Sequence, residues 1–157
     1  MKTKSSTVTM ILIILTMITG CKSEKSDYEK MVEFGQKYTA AWNSKQPGKM
    51  ASFYAENGTL MVNNGQPAVG RKQLAETAQS YMEAFPDMEL TMDSLTVEEE
   101  TYRYYWTFIG TNTGPGGTGN KVDFNGFEEW TMNDQGLVQK SIGTYDAEDY
   151  QRQLEGN

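Results

Sequence analysis

Along the chain from Asp27, apolar residues recur first at the spacing of helices and then at the spacing of strands. Met31, Phe34, Tyr38, Ala41 and Trp42 fall at i, i+3, i+7, i+10 and i+11. This stripe predicts a helix over Asp27–Asn43, capped by Ser26 or Asp27. Pro47 opens a second, short helix running through Tyr54, with Met50, Phe53 and Tyr54 facing inward. Asn57-Gly58 predicts a turn, Thr59–Asn63 a short strand and Asn64-Gly65 a second turn. Leu74, Thr77, Ala78, Tyr81, Met82 and Phe85 return to helical spacing over Arg71–Phe85, and Pro86 ends that helix.

Beyond Pro86 the period becomes two. Met88, Leu90 and Met92 alternate with polar residues, and Leu95 and Val97 resume the pattern after a predicted bulge at Asp93-Ser94. Tyr102, Tyr104, Trp106 and Phe108 form an aromatic stripe on one face of the next strand. A loop over Gly114–Gly119 leads to a strand over Lys121–Met132, a turn at Asp134-Gln135-Gly136 and a last strand over Leu137–Tyr145. Asp146 and Asp149 then stand as a capping box for a C-terminal helix, Ala147–Leu154. Four strands in meander with short turns predict an antiparallel sheet, with the helices segregated to one side, an α+β domain.

Charge and the N-terminus add a compartment to this picture. Lys2 and Lys4 precede the apolar run Met10–Ile18, followed by Thr19, Gly20 and Cys21. That is the layout of a secretory signal peptide over residues 1–20, too short in its apolar part for a comfortable membrane span. The ending Ile18-Thr19-Gly20-Cys21 resembles a bacterial lipobox, which implies diacylglycerol on the Cys21 thiol, an acylated mature N-terminus, and a membrane-anchored lipoprotein of the cell envelope. Residues 21–26 are then the lipidated Cys and a polar tether. Lys22 follows in place of the Asp that marks inner-membrane retention in some bacteria, which favours the outer membrane. Without residues 1–20, 12 basic and 21 acidic residues remain, a formal charge of −9. Such a surface argues against nucleic acid and against electrostatic attachment to anionic lipid. About 130 residues from Asp27 to Asn157 suffice for one domain with one core.

The available chemistry is narrow. The chain has no His, and its one Cys is the lipidation residue. Ser-His-Asp and Cys-His catalysis are thereby excluded, and no metal or cofactor is expected. The glycine-rich segment Gly114–Gly119 lies between two strands and lacks the Lys of a phosphate-binding loop. Carboxylates, Tyr hydroxyls and aromatic surface remain. In the strand over Lys121–Met132, alternation puts Val122, Phe124, Glu128 and Trp130 on one face, with Gly126 as a gap. An acid in that company finds hydrogen-bond partners, rises in pKa or does chemistry. A bulge at Gly126 would reverse the phase and turn Glu128 outward. The expected ligand pocket is lined by Trp42, Phe85, Tyr104, Trp106, Phe108, Phe124, Trp130 and Ser141, with Glu128 and Tyr145 as candidate acid/base groups.

Several segments in order resemble one family: Ala41-Trp42-Asn43-Ser44, Phe53–Thr59, Pro67–Arg71, Trp106–Gly114, Val122–Trp130, Gly136-Leu137-Val138, Tyr145-Asp146 and Arg152-Gln153-Leu154. Together they are similar to the SnoaL-like branch of the nuclear transport factor 2-like superfamily, over roughly residues 30 to 155. The resemblance implies a cone-shaped, curved antiparallel sheet wrapped by about three helices around an apolar pocket, and association of two copies through the sheet. In the cyclases of that family the last strand carries a His and a catalytic Asp. Aligning Val138–Gly143 on it puts Ser141 at the His and Gly143 at the Asp, and Asn112 stands where many members carry another His. Cyclase chemistry is therefore not implied. Three readings stay open: a binding module for a small apolar or aromatic molecule; an enzyme of isomerase, lyase or hydrolase type using Glu128 with a Tyr such as Tyr104 or Tyr145; and an accessory domain whose sheet face, with Tyr105 and Ile109 opposite the aromatic stripe, binds another envelope protein.

The anchor is directly testable. Cys21→Ser is expected to leave the leader attached and to abolish incorporation of labelled palmitate. Unchanged labelling or unchanged mass would refute lipidation at Cys21.

Overall fold

The computed structural model describes residues 25–99 and 101–157; Cys21 and the leader lie outside the described residues. Helix α1 spans Asp27–Asn43, α2 Pro47–Ala51, α3 Gly70–Ala84 and α4 Ala147–Glu155. Strands β1 Tyr54–Val62, β2 Ala68–Val69, β3 Glu89–Glu98, β4 Thr101–Thr111, β5 Lys121–Met132 and β6 Val138–Tyr145 make one six-stranded sheet in the order β2-β1-β6-β5-β4-β3. The α+β cone expected from the sequence is the fold observed, with the core between the helices and one sheet face.

Local chemistry accounts for the helix ends. Ser26 caps α1 by accepting from the Glu29 N–H, while Glu29 Oε2 accepts from the Ser26 N–H at 2.8 Å, a reciprocal capping box. Asp146 caps α4 by accepting from the N–H groups of Glu148 and Asp149. Tyr38, Ala41 and Trp42 are the buried stripe of α1, and Leu74, Ala78 and Met82 that of α3.

Three expectations change in the first half. Helix α2 ends at Ala51, and Tyr54, expected at its end, instead begins β1 and is fully buried. Asn57-Gly58 lies inside β1, where the pairing with β6 jumps from Tyr54↔Val138 to Thr59↔Lys140. With no adjacent strand to return to, the pair makes an irregularity and not a reversal. Finally, β1 runs parallel to β6, so the sheet is mixed. A hairpin forces antiparallel pairing, but α3 and most of the sheet separate β1 from β6, so neighbouring turns do not fix its direction.

The second half follows the period-two pattern closely. The register of β3 on β4 shifts between Met92 and Ser94, at the expected bulge, and Asp93 there accepts a bond from the Thr107 hydroxyl at 2.9 Å. Strand β5 pairs with β4 without interruption from Tyr102↔Trp130 to Thr111↔Lys121. Gly126 therefore keeps the phase, and Glu128 faces the core. Its lack of a side chain has a packing cause: a Cβ there would lie 2.6 Å from Cζ2 of Trp106 and 2.4 Å from the Thr144 carbonyl oxygen. The indole of Trp106 occupies the space over Gly126, its cross-strand partner.

Gly126→Ala is expected to destabilise the domain by roughly 2–3 kcal/mol in urea unfolding, because neither the indole nor the backbone carbonyl can withdraw without repacking. A loss below about 0.5 kcal/mol would show that the indole has room to move.

Candidate functional site

Among the described residues Glu128 is the one buried carboxylate, 7% exposed. Four side chains donate to it. On Oε2 it accepts from Ser141 Oγ at 2.6 Å, Trp130 Nε1 at 2.8 Å and the Tyr54 hydroxyl at 3.2 Å. The Tyr38 hydroxyl lies 3.2 Å from both oxygens and 3.1 Å from that of Tyr54. The donors come from α1, β1, β5 and β6, so the carboxylate joins helix to sheet and one sheet half to the other. Neutral donors satisfy it; among the described residues no Lys or Arg forms an ion pair with Glu128.

Burial pushes the Glu128 pKa up, and the bonds from Ser141, Trp130, Tyr38 and Tyr54 oppose that rise. Burial, and then the nearby charge of Glu128, hold the hydroxyls of Tyr38 and Tyr54 well above the ordinary Tyr range. Trp130 Nε1–H can only donate, and Glu128 is its acceptor, as it is for the Ser141 hydroxyl.

Beside this carboxylate lies a cavity of about 60 Å³. Its wall is apolar and aromatic: Trp42 from α1, Tyr81 from α3, Trp106 and Phe108 from β4, Phe124 from β5 and Tyr145 from β6, with Leu60, Val62, Met88 and Leu90 between them. Glu128 and Gly143 complete it. A Cβ on Gly143 would sit 3.7 Å from Glu128 Cγ, so the bare glycine leaves the flank of the carboxylate open. The indole N–H groups of Trp42 and Trp106 are buried without a partner; Trp42 meets Tyr38 edge-on, rings 6.4 Å apart, outside hydrogen-bond geometry. Roughly 10–15 Å³ of such space is needed to admit one water, so the cavity has room for a small molecule.

Of the residues expected to line a pocket, Trp42, Trp106, Phe108 and Phe124 do so, together with Glu128 and Tyr145. Phe85, Tyr104, Trp130 and Ser141 stand behind the wall. Phe85 packs edge-on to Phe108, Tyr104 stacks on Trp130 at 4.7 Å and bonds to Thr39, and Ser141 is turned onto Glu128. Sequence reasoning missed the donors Tyr38 and Tyr54 and the lining residues Leu60, Val62, Tyr81, Met88 and Leu90. Tyr38 and Tyr81 were on recognised helical stripes, but nothing local says which stripe residue ends at a carboxylate.

The positions that the resemblance connects with cyclase chemistry are also placed. Gly143 is the direct cross-strand partner of Glu128, so a carboxylate from the neighbouring strand stands beside the position where the family carries its Asp. Asn112 lies past the end of β4, its amide tied to the Ala84 carbonyl and the Thr118 N–H. Asp146 is occupied as the α4 cap. Among the described residues no cluster of acids, His or Cys could hold a metal.

A six-stranded curved sheet closed by helices over an aromatic cavity defines a nuclear transport factor 2-like protein. The family model described as "SnoaL-like polyketide cyclase" matches residues 33–154, and the chain belongs to that family. No curated protein sequence matches it significantly. Among solved structures, it is similar to a putative SnoaL-like polyketide cyclase from Jannaschia sp. CCS1, at 18% identity and TM-score 0.73, covering 85% of this chain and 98% of that one. A hypothetical protein with a ketosteroid isomerase-like fold from Catenulispora acidiphila DSM 44928, in complex with trimethylamine, matches at 14% identity and TM-score 0.69, covering 78% and 92%. The epoxide hydrolase/cyclase-like enzyme SalBIII, with a role in pyran ring formation in the polyether salinomycin, matches at 17% identity and TM-score 0.67, covering 78% and 95%. At these identities the likeness is one of fold.

The raised pKa of Glu128 has a sign in stability. The folded chain holds this proton more tightly than the unfolded chain does. That stabilisation is full below the ordinary value of 4.5 and is lost as pH rises through the folded value. Glu128→Gln should lower stability by about 1–3 kcal/mol near pH 4.5. The gap between the two proteins should narrow as pH rises to 8 in parallel thermal melts. A gap that widens with pH would show a depressed pKa instead.

Proposed function

We propose that this domain is a lipid-anchored protein of the bacterial cell envelope that binds a small, largely apolar molecule inside the cone and lacks cyclase chemistry. The observation that carries the binding is the cavity itself, lined by Trp42, Tyr81, Trp106, Phe108, Phe124 and Tyr145 beside the buried carboxylate. Ser141 and Gly143 supply neither the His nor the Asp of a cyclase. The Catenulispora protein holds trimethylamine, a molecule of four non-hydrogen atoms, and this cavity accepts that size. The anchor rests on the leader and Cys21, and the outer membrane on Lys22. A homodimer formed through the outer sheet face, where Tyr105 meets Phe127 at 5.9 Å, belongs to the same proposal; a monomer in sedimentation at micromolar concentration would count against it.

One observation favours a second reading as an enzyme. Glu128 lies across from Gly143, and the Tyr145 ring shares the cavity, so a carboxylate and a phenol line one space. Isomerase, lyase or hydrolase activity of this kind requires a kinetic pKa above the ordinary Glu range that disappears in Glu128→Gln.

The chain has three Trp residues, and all belong to the site: Trp42 and Trp106 line it and Trp130 donates to Glu128. A panel of small apolar and aromatic molecules is therefore expected to change Trp emission. Members at a hundredfold excess over Kd should stabilise the fold by about 2.7 kcal/mol. Gly143→Leu, which fills the cavity beside Glu128, should abolish both effects. A panel with no response would sink the binding reading.

A further inference from the structure

We propose that the cavity selects a small organic cation, an alkylammonium whose nitrogen lies against Glu128 Oε1 and whose alkyl groups fill the aromatic wall. The inference rests on the small-molecule reading above and names the ligand's charge and size.

The carboxylate is buried without a cation. All four of its partners are neutral donors, and none of the ion pairs among the described residues includes it. The two oxygens are served unequally. Oε2 accepts from Ser141, Trp130 and Tyr54, whereas Oε1 has only the Tyr38 hydroxyl at 3.2 Å, shared with Oε2 and with Tyr54. A carboxylate has about four lone-pair sites, so Oε1 retains accepting capacity. Glu128 is itself part of the cavity wall, and Gly143 leaves its flank uncovered.

The remaining wall carries no opposing charge. Trp42, Tyr81, Trp106, Phe124 and Tyr145 bring aromatic rings to the space and no basic side chain lines it, while the unpartnered indole N–H groups of Trp42 and Trp106 are donors that an alkylammonium would leave unused. An anionic ligand would meet both the carboxylate and the rings. A neutral hydrocarbon would offer no partner to the accepting capacity left on Oε1. The volume of about 60 Å³ suits a short, compact alkyl body. The whole chain carries a formal charge of −7, which raises the local concentration of cations outside the cavity.

The test uses three isosteres of different charge, tert-butylammonium, tert-butanol and trimethylacetate, titrated into the full chain in neutral detergent at fixed ionic strength. Trp emission and thermal unfolding are read together, with sodium chloride as the control. The ammonium is expected to bind at least tenfold more tightly than the alcohol, and trimethylacetate not at all. In Glu128→Gln the preference should fall to within about twofold. Gly143→Ala, whose new methyl fits at ordinary contact distance, should weaken the ammonium at least fivefold while leaving the melting temperature of the free protein within a few degrees. This second variant keeps the test valid if Glu128→Gln folds poorly. Equal binding of alcohol and ammonium overturns the charge assignment and leaves the small-molecule reading standing. Preference for ammonium that survives in both variants places the cation elsewhere on the acidic surface and overturns the site. Failure of all three probes overturns the small-molecule reading along with this one.

Discussion

A carboxylate buried without a counter-cation is tolerated only where several donors converge on it, and that constraint organises this domain. Taking an ion of that size out of water carries a penalty of several kcal/mol even after relaxation. Here the hydroxyls of Tyr38, Tyr54 and Ser141 and the indole N–H of Trp130 offset it. No two of these donors share an element, so satisfying Glu128 requires α1, β1, β5 and β6 to be in register at once. The stacked pair of Trp130 and Tyr104, and the edge contacts of Tyr38 with Tyr104 and Trp130, then build the core around the polar cluster.

Two glycines on the same sheet face divide that core into a filled half and an open half. Opposite Gly126 the Trp106 indole closes over the sheet, so the missing side chain is replaced by a neighbour's ring. Opposite Glu128, Gly143 is not filled in that way; the nearest side-chain atoms stay at 3.7 Å from where a Cβ would lie. The cavity therefore reaches the carboxylate from the aromatic stripe. Its small volume follows from the same residues, since Trp42, Trp106, Phe108 and Phe124 take up most of the cone's interior.

What could be read from the sequence was what depends on near neighbours. The phase of β5, the bulge at Asp93-Ser94, the caps of α1 and α4 and the inward Glu128 all follow from periods of two or 3.6 residues and from short-range hydrogen bonding. What could not be read depends on contacts between distant segments. Tyr54 looked like the end of a helix opened by Pro47, yet its hydroxyl reaches a carboxylate 74 residues away. The parallel pairing of β1 with β6 and the two-residue β2 leave no periodic trace, because each is fixed by the strand beside it. Phe85, Tyr104, Trp130 and Ser141 lie on core-facing positions, but a period states only the face. Whether such a residue touches the cavity or stands one layer behind is set by the size of the side chains in front of it.

The network around Glu128 also bears on what the site can do. Hydrogen bonds to the ionised form lower a carboxylate's affinity for a proton while leaving its charge in place, and burial acts in the opposite direction on proton affinity. A general base in a closed apolar pocket gains from burial and loses from each donor aimed at it. An electrostatic anchor needs only that the charge persist and that one oxygen be reachable. Oε2, with its three dedicated donors, can take a proton only if one of them lets go, and releasing a bond to a charged group costs about 1.5–3 kcal/mol. Oε1 faces no such barrier, and the same oxygen would receive either a proton or a cation. Which of the two it meets depends on the ligand: a molecule with an acidic C–H beside a carbonyl would make Glu128 a base. An alkylammonium, with no such proton to give, would make it a counter-ion.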